Sequence, residues 1–305
     1  MREKQLISVI MPVFNCEDYL EESIVSILDQ TYPYFEFIII NDGSTDQSPK
    51  IIKKYANQDD RIIIINQSNS GIVTALNKGI DAARGEWLFR MDGDDVSLPQ
   101  RFSMQIEEIG KRPGLILLGG WCEHIDAHGN RLGISKFPVR HDSLVKKAAN
   151  GLSSFAHPSV CFHRKTVQKL GGYRQRFDGA EDLDLWLRVS SVGEIGCLPH
   201  IIIYLRGDKN VIIKKRRLFN CVACVCYHRQ RLGLSDPAET LEYTKWQEFL
   251  EWIDDYLKRD YYYESQQVRI NLLKLWRDNE KPVMMVKIMK ILIILINDHL
   301  ARKIF

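Results

Sequence analysis

The sequence predicts an α/β protein organised on a parallel, doubly wound sheet. Three observations carry that prediction. Four near-continuous apolar runs of strand length, Leu6–Val13, Phe35–Ile40, Arg61–Asn66 and Trp87–Met91, open the chain. Segments of helical period separate them, and strands alternating with helices feed a parallel sheet covered on both faces. Two of the runs stop abruptly in polar loops, Asn41–Asp46 and Asp92–Asp95, at the strand ends where open α/β sheets place their ligands.

The first run, Leu6-Ile7-Ser8-Val9-Ile10-Met11-Pro12-Val13, reads as a buried strand. Asn15 is a capping residue type, and Leu20, Ile24, Ile27 and Leu28 keep the helical period behind it. Phe35–Ile40 supplies the second strand, and the turn-rich Asn41-Asp42-Gly43-Ser44-Thr45-Asp46 leads into a short helix over Ser48–Tyr55. Arg61–Asn66 supplies the third strand. A helix over Gly71–Ala83 then carries Ile72, Leu76, Ile80 and Ala83 on one face before the Trp87 strand, and Pro99 closes this stretch of regular structure.

That fourth strand ends in Asp92-Gly93-Asp94-Asp95, three carboxylates in four positions. Like charges so close repel one another, so the cluster needs bathing water or a neutralising cation. An isolated Asp-x-Asp reads as a solvated turn; at the carboxyl end of a sheet strand it reads as an oxygen-donor site for Mg²⁺ or Mn²⁺. Magnesium takes few protein carboxylates and completes its sphere with water and substrate phosphates, so the expected partner is phosphorylated. Asp42 offers acceptors to a pyrimidine imino group or to ribose hydroxyls, while Asp-Gly is also a favoured turn pair; both readings stand. Neither Gly-x-Gly-x-x-Gly after the first strand nor Gly-x-x-x-x-Gly-Lys-Ser/Thr occurs, which leaves the phosphates to the metal.

Further motifs lie beyond these. Asn69-x-Gly71 comes with Ala75, Asn77 and Gly79, then Ala83-Arg84-Gly85-Glu86. His157-Pro158-Ser159-Val160, Gly171-Gly172-Tyr173 and Glu181-Asp182-Leu183-Asp184-Leu185-Trp186 stand further along. Together with Ser8–Asn15, Asn41–Asp46 and Met91–Asp95, this series resembles the family 2 glycosyltransferases over roughly residues 6 to 210. The resemblance implies a GT-A fold, a Rossmann-like mixed sheet flanked by helices, and inverting transfer from a nucleotide-diphosphate sugar.

It also implies roles. Pro12, Val13 and Asn15 line the nucleotide pocket and Asp42 contacts base or ribose. Asp92, Gly93 and Asp94 form the Asp-x-Asp turn, with Asp94 the more direct metal ligand, and Arg84 approaches the diphosphate. Asp182 is the general base. Chemistry points the same way: such a transfer needs charge neutralised on the leaving diphosphate and a group to take the acceptor proton. Acidic residues also favour the first turn of a helix, so Glu181-Asp182 fits capping as well as catalysis. His157 fits a strand-entry turn or an acceptor contact. Asp184 and Trp186, with Glu181, are acceptor-side candidates or core.

Leu115–Cys122 and Arg131–Phe137 read as strands around an Asp126–Asn130 turn, opening an acceptor side that runs to Gly179. Relatives of this kind often carry Tyr-Arg-x-His after the last sheet element. Here Tyr204-Leu205-Arg206-Gly207-Asp208 keeps the arginine without the histidine.

Net charge is +3 overall, but residues 211–305 hold 17 Lys and Arg against 12 Asp and Glu. A basic tail on a body of net charge −2 suits an anionic surface such as a membrane better than nucleic acid. Seven cysteines, an odd number, with polar residues ahead of the first strand and no secretory signal, predict a reducing, cytoplasmic setting. Cys221, Cys224, Cys226 and His228 lack a second ligand pair at finger spacing, so zinc is not expected there.

Residues 1–210 are thus expected as the transferase domain and 211–305 as a helical extension. In the latter Trp246, Phe249, Leu250, Ile253 and Leu257 fall at helical spacing, as core or oligomer interface, and Lys214–Arg217 is a basic knot. Val283–Ile296 is nearly all apolar, yet at about 1.5 Å per residue it is shorter than a ~30 Å hydrocarbon core, and Lys287 and Lys290 interrupt it. It is expected to dock on the body or on a second copy, or to lie in a membrane interface.

The function expected is transfer of one sugar from a nucleotide donor, UDP-sugar favoured, to a glycan or lipid-linked acceptor, with Mn²⁺ or Mg²⁺ as cofactor. A nucleotidyltransferase and an inactive sugar-nucleotide binder are the alternatives. The first lacks its Gly-rich phosphate loop here, and the second is at odds with intact Asp92, Asp94 and Asp182.

Overall fold

The computed structural model describes residues 5–207 and 214–259. The chain divides into two compact units, Met1–Val145 with Ser153–Val211, and Lys146–Leu152 with Ile212–Phe305.

In the first unit β1 (Ile7–Val13), α1 (Leu20–Leu28), β2 (Phe35–Asp42), α2 (Ser48–Ala56), β3 (Ile62–Gln67), α3 (Ile72–Ala82) and β4 (Trp87–Arg90) alternate as the apolar runs predict. Then come β5 (Val96–Ser97), α4 (Arg101–Lys111), β6 (Leu115–Ile125), β7 (Arg131–Ser135) and α5 (His141–Ala148). A 3₁₀ turn, His157–Ser159, leads to β8 (Cys161–His163) and α6 (Arg164–Lys169), and a second, Gln175–Phe177, to α7 (Glu181–Ser190) and β9 (Glu194–Arg206).

The sheet runs β3-β2-β1-β4-β8-β6-β9-β5, with β7 paired to β6. The first four strands are mutually parallel, as expected from their alternation with helices. Beyond β4 the sheet becomes mixed: β8 is antiparallel to both β4 and β6, and β9 runs parallel to β6. The parallel reading of the opening strands therefore holds for half the sheet, and the mixed GT-A architecture holds for the whole.

Strand alternation sends Val9, Met11 and Val13 to one face, against Leu20, Ile24 and Ile27 of α1, Ile52 of α2 and Phe102 of α4. Ile10, Ile38 and Ile40 go to the other, against Val73, Leu76 and Ile80 of α3 and Leu185, Trp186 and Val189 of α7. Both faces are dry, which is why the strands carry no polar alternation. Truncating one such residue, Ile10→Ala, costs about 2–5 kcal/mol.

Asn15 does not cap α1. That helix begins at Leu20 behind Tyr19, which gives it no side-chain bond, and the Leu20 N–H bonds to the Cys16 carbonyl. Asn15 instead adopts a left-handed φ of 50° and turns toward the loop after β2.

In the second unit α8 (Lys214–Arg231), α9 (Pro237–Thr240) and α10 (Tyr243–Arg259) are joined by a turn in which Asp236 accepts the Ala238 N–H. Trp246, Leu250 and Ile253 form a buried stripe along α10, so the predicted aromatic face is core here. Cys221, Cys224 and Cys226 are buried. The Leu257 side chain, those of Lys214–Arg217, and the apolar run at 283–296 lie outside the described residues. Among the described residues no helix is long and apolar enough to cross a membrane.

Candidate active site

Parallel pairing aligns the ends of β1, β2 and β3, with Val13 opposite Asn41 and Asp42 opposite Gln67. The loops leaving these strands are tied side chain to backbone. Asn15 Oδ1 accepts the Thr45 N–H at 2.9 Å, and Ser44 Oγ accepts the Asn15 N–H at 3.1 Å. Asn41 donates to Asn66 Oδ1 at 3.0 Å and accepts the Ser44 N–H. Gly43, at φ +73°, passes so close to the next loop that a Cβ would stand 2.6 Å from the Asn69 nitrogen, a place only glycine fits.

Two residues expected on the nucleotide pocket are placed otherwise. The Val13 side chain is wholly buried in the core, leaving only its backbone at the loop. Asp42 is 4% exposed. Its Oδ1 accepts Gln67 Nε2 at 2.7 Å and the Ser70 N–H at 2.8 Å, and its Oδ2 accepts the Gly71 N–H at 2.9 Å. Asp42 thus fastens the β3–α3 loop, with most of its acceptor capacity already used. Pro12 is partly exposed, Asn15 exposed, and Phe14 between them exposes 46% of its surface.

The acidic loop begins where Met91 N–H bonds the Ile10 carbonyl, pinning β4's end to the middle of β1. Gly93 lies against Cys16, where a Cβ would meet Sγ at 3.4 Å. One ligand oxygen from each of Asp92, Asp94 and Asp95 lies within 4.8 Å of the others. Asp92 is ion-paired to the buried Arg90. Burial, then the Asp92 charge, push Asp94 up to about 6, and the same causes hold Asp95 well above the carboxylate range. Asp95 Oδ1 accepts the Arg206 N–H at 2.8 Å, while its buried Oδ2 takes no hydrogen bond. Three converging hard oxygens, mutually repelled and one of them orphaned, fit a divalent cation such as Mg²⁺ or Mn²⁺.

Arg84 is not at this edge. It precedes β4, at the amino end of the sheet, where its N–H and Nε both bond Glu36 at 2.6 Å; Glu36 also accepts the Ser8 hydroxyl. The expected diphosphate contact is corrected by strand direction: a residue entering a parallel strand and the loop leaving it sit on opposite edges.

The second acidic pair stands at the start of α7. Glu181 and Asp182 are buried; Glu181 Oε2 accepts the Gly179 N–H at 2.8 Å and Asp182 Oδ1 the Leu183 N–H at 2.7 Å. Burial, then Asp182, raise the Glu181 pKa. At the helix start both carboxylates thus bond nearby backbone N–H groups. His157 Nε2 pairs with the Tyr173 hydroxyl at 2.9 Å, and its Nδ1 lies 3.8 Å from Glu181. Burial first, with Arg90 opposing and Glu181, Asp182 and Asp92 adding, sets the Tyr173 hydroxyl above its ordinary range. Tyr173 and Arg90 are therefore within electrostatic reach of both acidic sets. Asn77 of α3 holds Tyr173 by both backbone groups at 2.8 Å, and Gly172, at φ +65°, admits the Asn77 side chain where a Cβ would stand 2.4 Å from it.

Asp184 and Trp186, expected on the acceptor side or in the core, are both buried. Asp184 is 2% exposed and lies between Arg174 and Arg188, both of which donate to its oxygens. Trp186 is fully buried against Phe155, His157 and Phe162. His157 keeps a small exposed fraction beside Glu181.

Sequence reasoning misses Arg90, Tyr173 and the anchoring by Arg206. Arg90 carries a signal, a lone cation inside an apolar strand run two residues before a carboxylate. Among the described residues the acidic loop is the one group of three or more such ligands, and the cysteines of α8 do not form another.

A mixed sheet whose fourth strand opens into a carboxylate loop, with a second acidic pair across a buried tyrosine, defines a GT-A transferase architecture. Residues 8–171 match glycosyl transferase family 2, and the chain belongs to that family. It is therefore a glycosyltransferase by membership, which sets aside the nucleotidyltransferase alternative. An O-antigen biosynthesis glycosyltransferase, WbnJ, of Escherichia coli is 35% identical over 62% of this chain and 73% of its own length. An amylovoran biosynthesis glycosyltransferase, AmsE, of Erwinia amylovora is 29% identical over 75% and 86%.

Among solved structures, S. aureus TarS 1-349 in complex with UDP-GlcNAc superposes with a TM-score of 0.61 at 16% identity, covering 97% of this chain and 91% of that one. The mannosyltransferase PcManGT of Pyrobaculum calidifontis, in complex with GDP-Man and Mn²⁺, gives 0.56 at 16%, covering 96% and 86%. At such identities these neighbours speak to the fold. The chain spans 42% of the longer TarS structure it matches.

Proposed function

We propose that this chain transfers a single sugar, with inversion, from a nucleoside-diphosphate sugar to a saccharide or lipid-linked acceptor in polysaccharide assembly. The observation that carries the reading is the convergence of Asp92, Asp94 and Asp95 after β4, with Glu181 and Asp182 within electrostatic reach of the same buried Tyr173. In this reading residues 1–210 are the transferase domain and 211–305 its helical extension.

Asp94 and Asp92 would hold a divalent ion, which when bound supplies the positive charge that stabilises the departing diphosphate. Asp182 takes the proton from the acceptor hydroxyl as it attacks, a step typically worth roughly 10²–10⁴ in rate. Burial and its neighbour keep Glu181 from ionising easily. Arg90 balances Asp92. Pro12 and Asn15 flank the nucleoside, the exposed Phe14 ring offers it a stacking face, and Asp42 supports the loop beside it. TarS with UDP-GlcNAc and PcManGT with GDP-Man support a nucleotide-sugar donor, and UDP is the base we favour.

The test is nucleoside diphosphate release from UDP-, GDP- and dTDP-sugars with Mn²⁺, Mg²⁺ or EDTA, comparing wild type with Asp94→Ala and Asp182→Asn. Metal-dependent release of one nucleotide, lost in Asp94→Ala and cut about 10²–10⁴-fold in Asp182→Asn, is expected. Binding of a donor without release, whatever acceptor extract is supplied, would make the chain an inactive binder. Proton NMR of the product's anomeric centre reports inversion.

A further inference from the structure

Arg206 ends β9, and its side chain is 6% exposed although it carries a permanent charge. All faces of the guanidinium are engaged. Nε donates to the Asp94 carbonyl at 2.9 Å, Nη1 to the carbonyls of Asp126 at 3.0 Å and Ala127 at 3.4 Å, and Nη2 to Glu22 at 2.6 Å. The group also stacks on Tyr19, 4.4 Å from the ring centroid. Its own backbone N–H donates to Asp95 Oδ1, and β5, directly after the acidic loop, is paired to β9 through Val96 and Tyr204. Thus the acidic loop is held at a main-chain carbonyl, at a side-chain oxygen and through the strand that leaves it.

From this geometry we infer that Arg206 is a positioning residue: it fixes the Asp94–Asp95 peptide so that both carboxylates are presented to a divalent cation. The inference rests on the reading that Asp92 and Asp94 hold such an ion. With four of its five donors committed to carbonyls and to Glu22, the guanidinium has little left with which to grip a diphosphate.

Electrostatics alone predicts the opposite sign, which makes the inference testable. A cation beside the acidic loop repels a metal ion, so if Arg206 acted only through its charge, removing it would tighten metal binding. If it acts by holding the loop, removing it loosens metal binding, because partners that orient metal ligands are typically worth about 10–100-fold in affinity.

The experiment is Mn²⁺ binding to the full chain, read by the free-ion electron paramagnetic resonance signal, with the metal-free thermal midpoint measured alongside. Arg206→Met keeps the stem against Tyr19 and removes the donors, and is expected to weaken Mn²⁺ about 10–100-fold. Glu22→Gln leaves the bond to the Asp94 carbonyl in place and is expected to stay within about twofold. Should Arg206→Met fail to fold, Arg206→Lys retains charge and stem but not the fork, and is expected to bind at least about fivefold more weakly. Unchanged or tighter binding in a folded Arg206 variant overturns the inference while leaving the metal reading intact. Absence of Mn²⁺ binding by wild type overturns both.

Discussion

Arg90 and Asp92 form an ion pair two residues apart, the guanidinium 2% and the carboxylate 28% exposed. The pair turns the last cation of β4 onto the first anion of the adjoining loop. Arg90 Nε is left buried without a partner, so Asp92 is the main compensation for a charge held inside the protein. Asp94 has no comparable cation in contact, and it is Asp94 that burial and the Asp92 charge push up to about 6.

Neighbouring acidic residues should therefore respond to neutralisation in opposite ways. Asp92→Asn strands Arg90 and is expected to destabilise by about 3 kcal/mol. Asp94→Asn removes a carboxylate whose ionised form the fold disfavours, and is expected to raise the metal-free thermal midpoint at pH 7 by roughly 2–4 °C while abolishing metal-dependent nucleotide release. Calorimetry in EDTA checks both; a lower midpoint in Asp94→Asn would contradict the account.

Asp184 is expected to behave as a structural residue. Asp184→Asn leaves Arg174 and Arg188 facing each other around a neutral group, with a loss of about 3–5 kcal/mol, because one buried anion had served two cations. Urea unfolding measures it. A fall in acceptor affinity with full stability would return Asp184 to the acceptor site.

Arg84→Ala is expected to leave the donor KM within about twofold, since the residue is 70% exposed at the far edge of the sheet. A tenfold rise in donor KM would place the diphosphate within reach of Arg84 after all. The comparison needs only initial rates at saturating metal.

His228 sets a pH dependence in the second unit. Burial, opposed by its bond to the Ala149 carbonyl, lowers its pKa from the ordinary 6.5. The unfolded chain then takes up the proton first as pH falls, so this contribution to stability is complete above pH 6.5 and is lost below it. Thermal midpoints of wild type and His228→Gln are expected to converge as pH drops from 7.5 toward 5, at about 1 kcal/mol or more per unit of pKa shift.

Much of this molecule is legible before folding, and the limits are physical. The parallel strands announce themselves because both faces are buried and every residue from Ile7 to Met11 is apolar or held by a specific partner such as Glu36. The other half is legible only in part: Leu115–Cys122 and Arg131–Phe137 read as strands, but β5 has two residues and β9 bends through Pro199 and His200, so long-range pairing rather than periodicity creates these two. Asp182 and Asp184 share a helix turn and a residue type. What holds Asp184 in place is the arrival of Arg174 and Arg188 at its oxygens, a contact no local pattern encodes. Arg84 differs again, since strand polarity, which the sequence does hold, is enough to put it on the edge away from the diphosphate.

β9 is the last strand among the described residues, and Arg206 meets Asp94 across 112 residues of chain. On a ribosome adding about 5–20 residues per second, the acidic loop is made many seconds before the strand that secures it. During that interval a nascent chain already carries its first four strands but not a finished cation site. On the proposed reading, capture of a divalent ion would be tied to completion of the sheet, and a chain truncated before β9 would lack the contacts that secure the acidic loop.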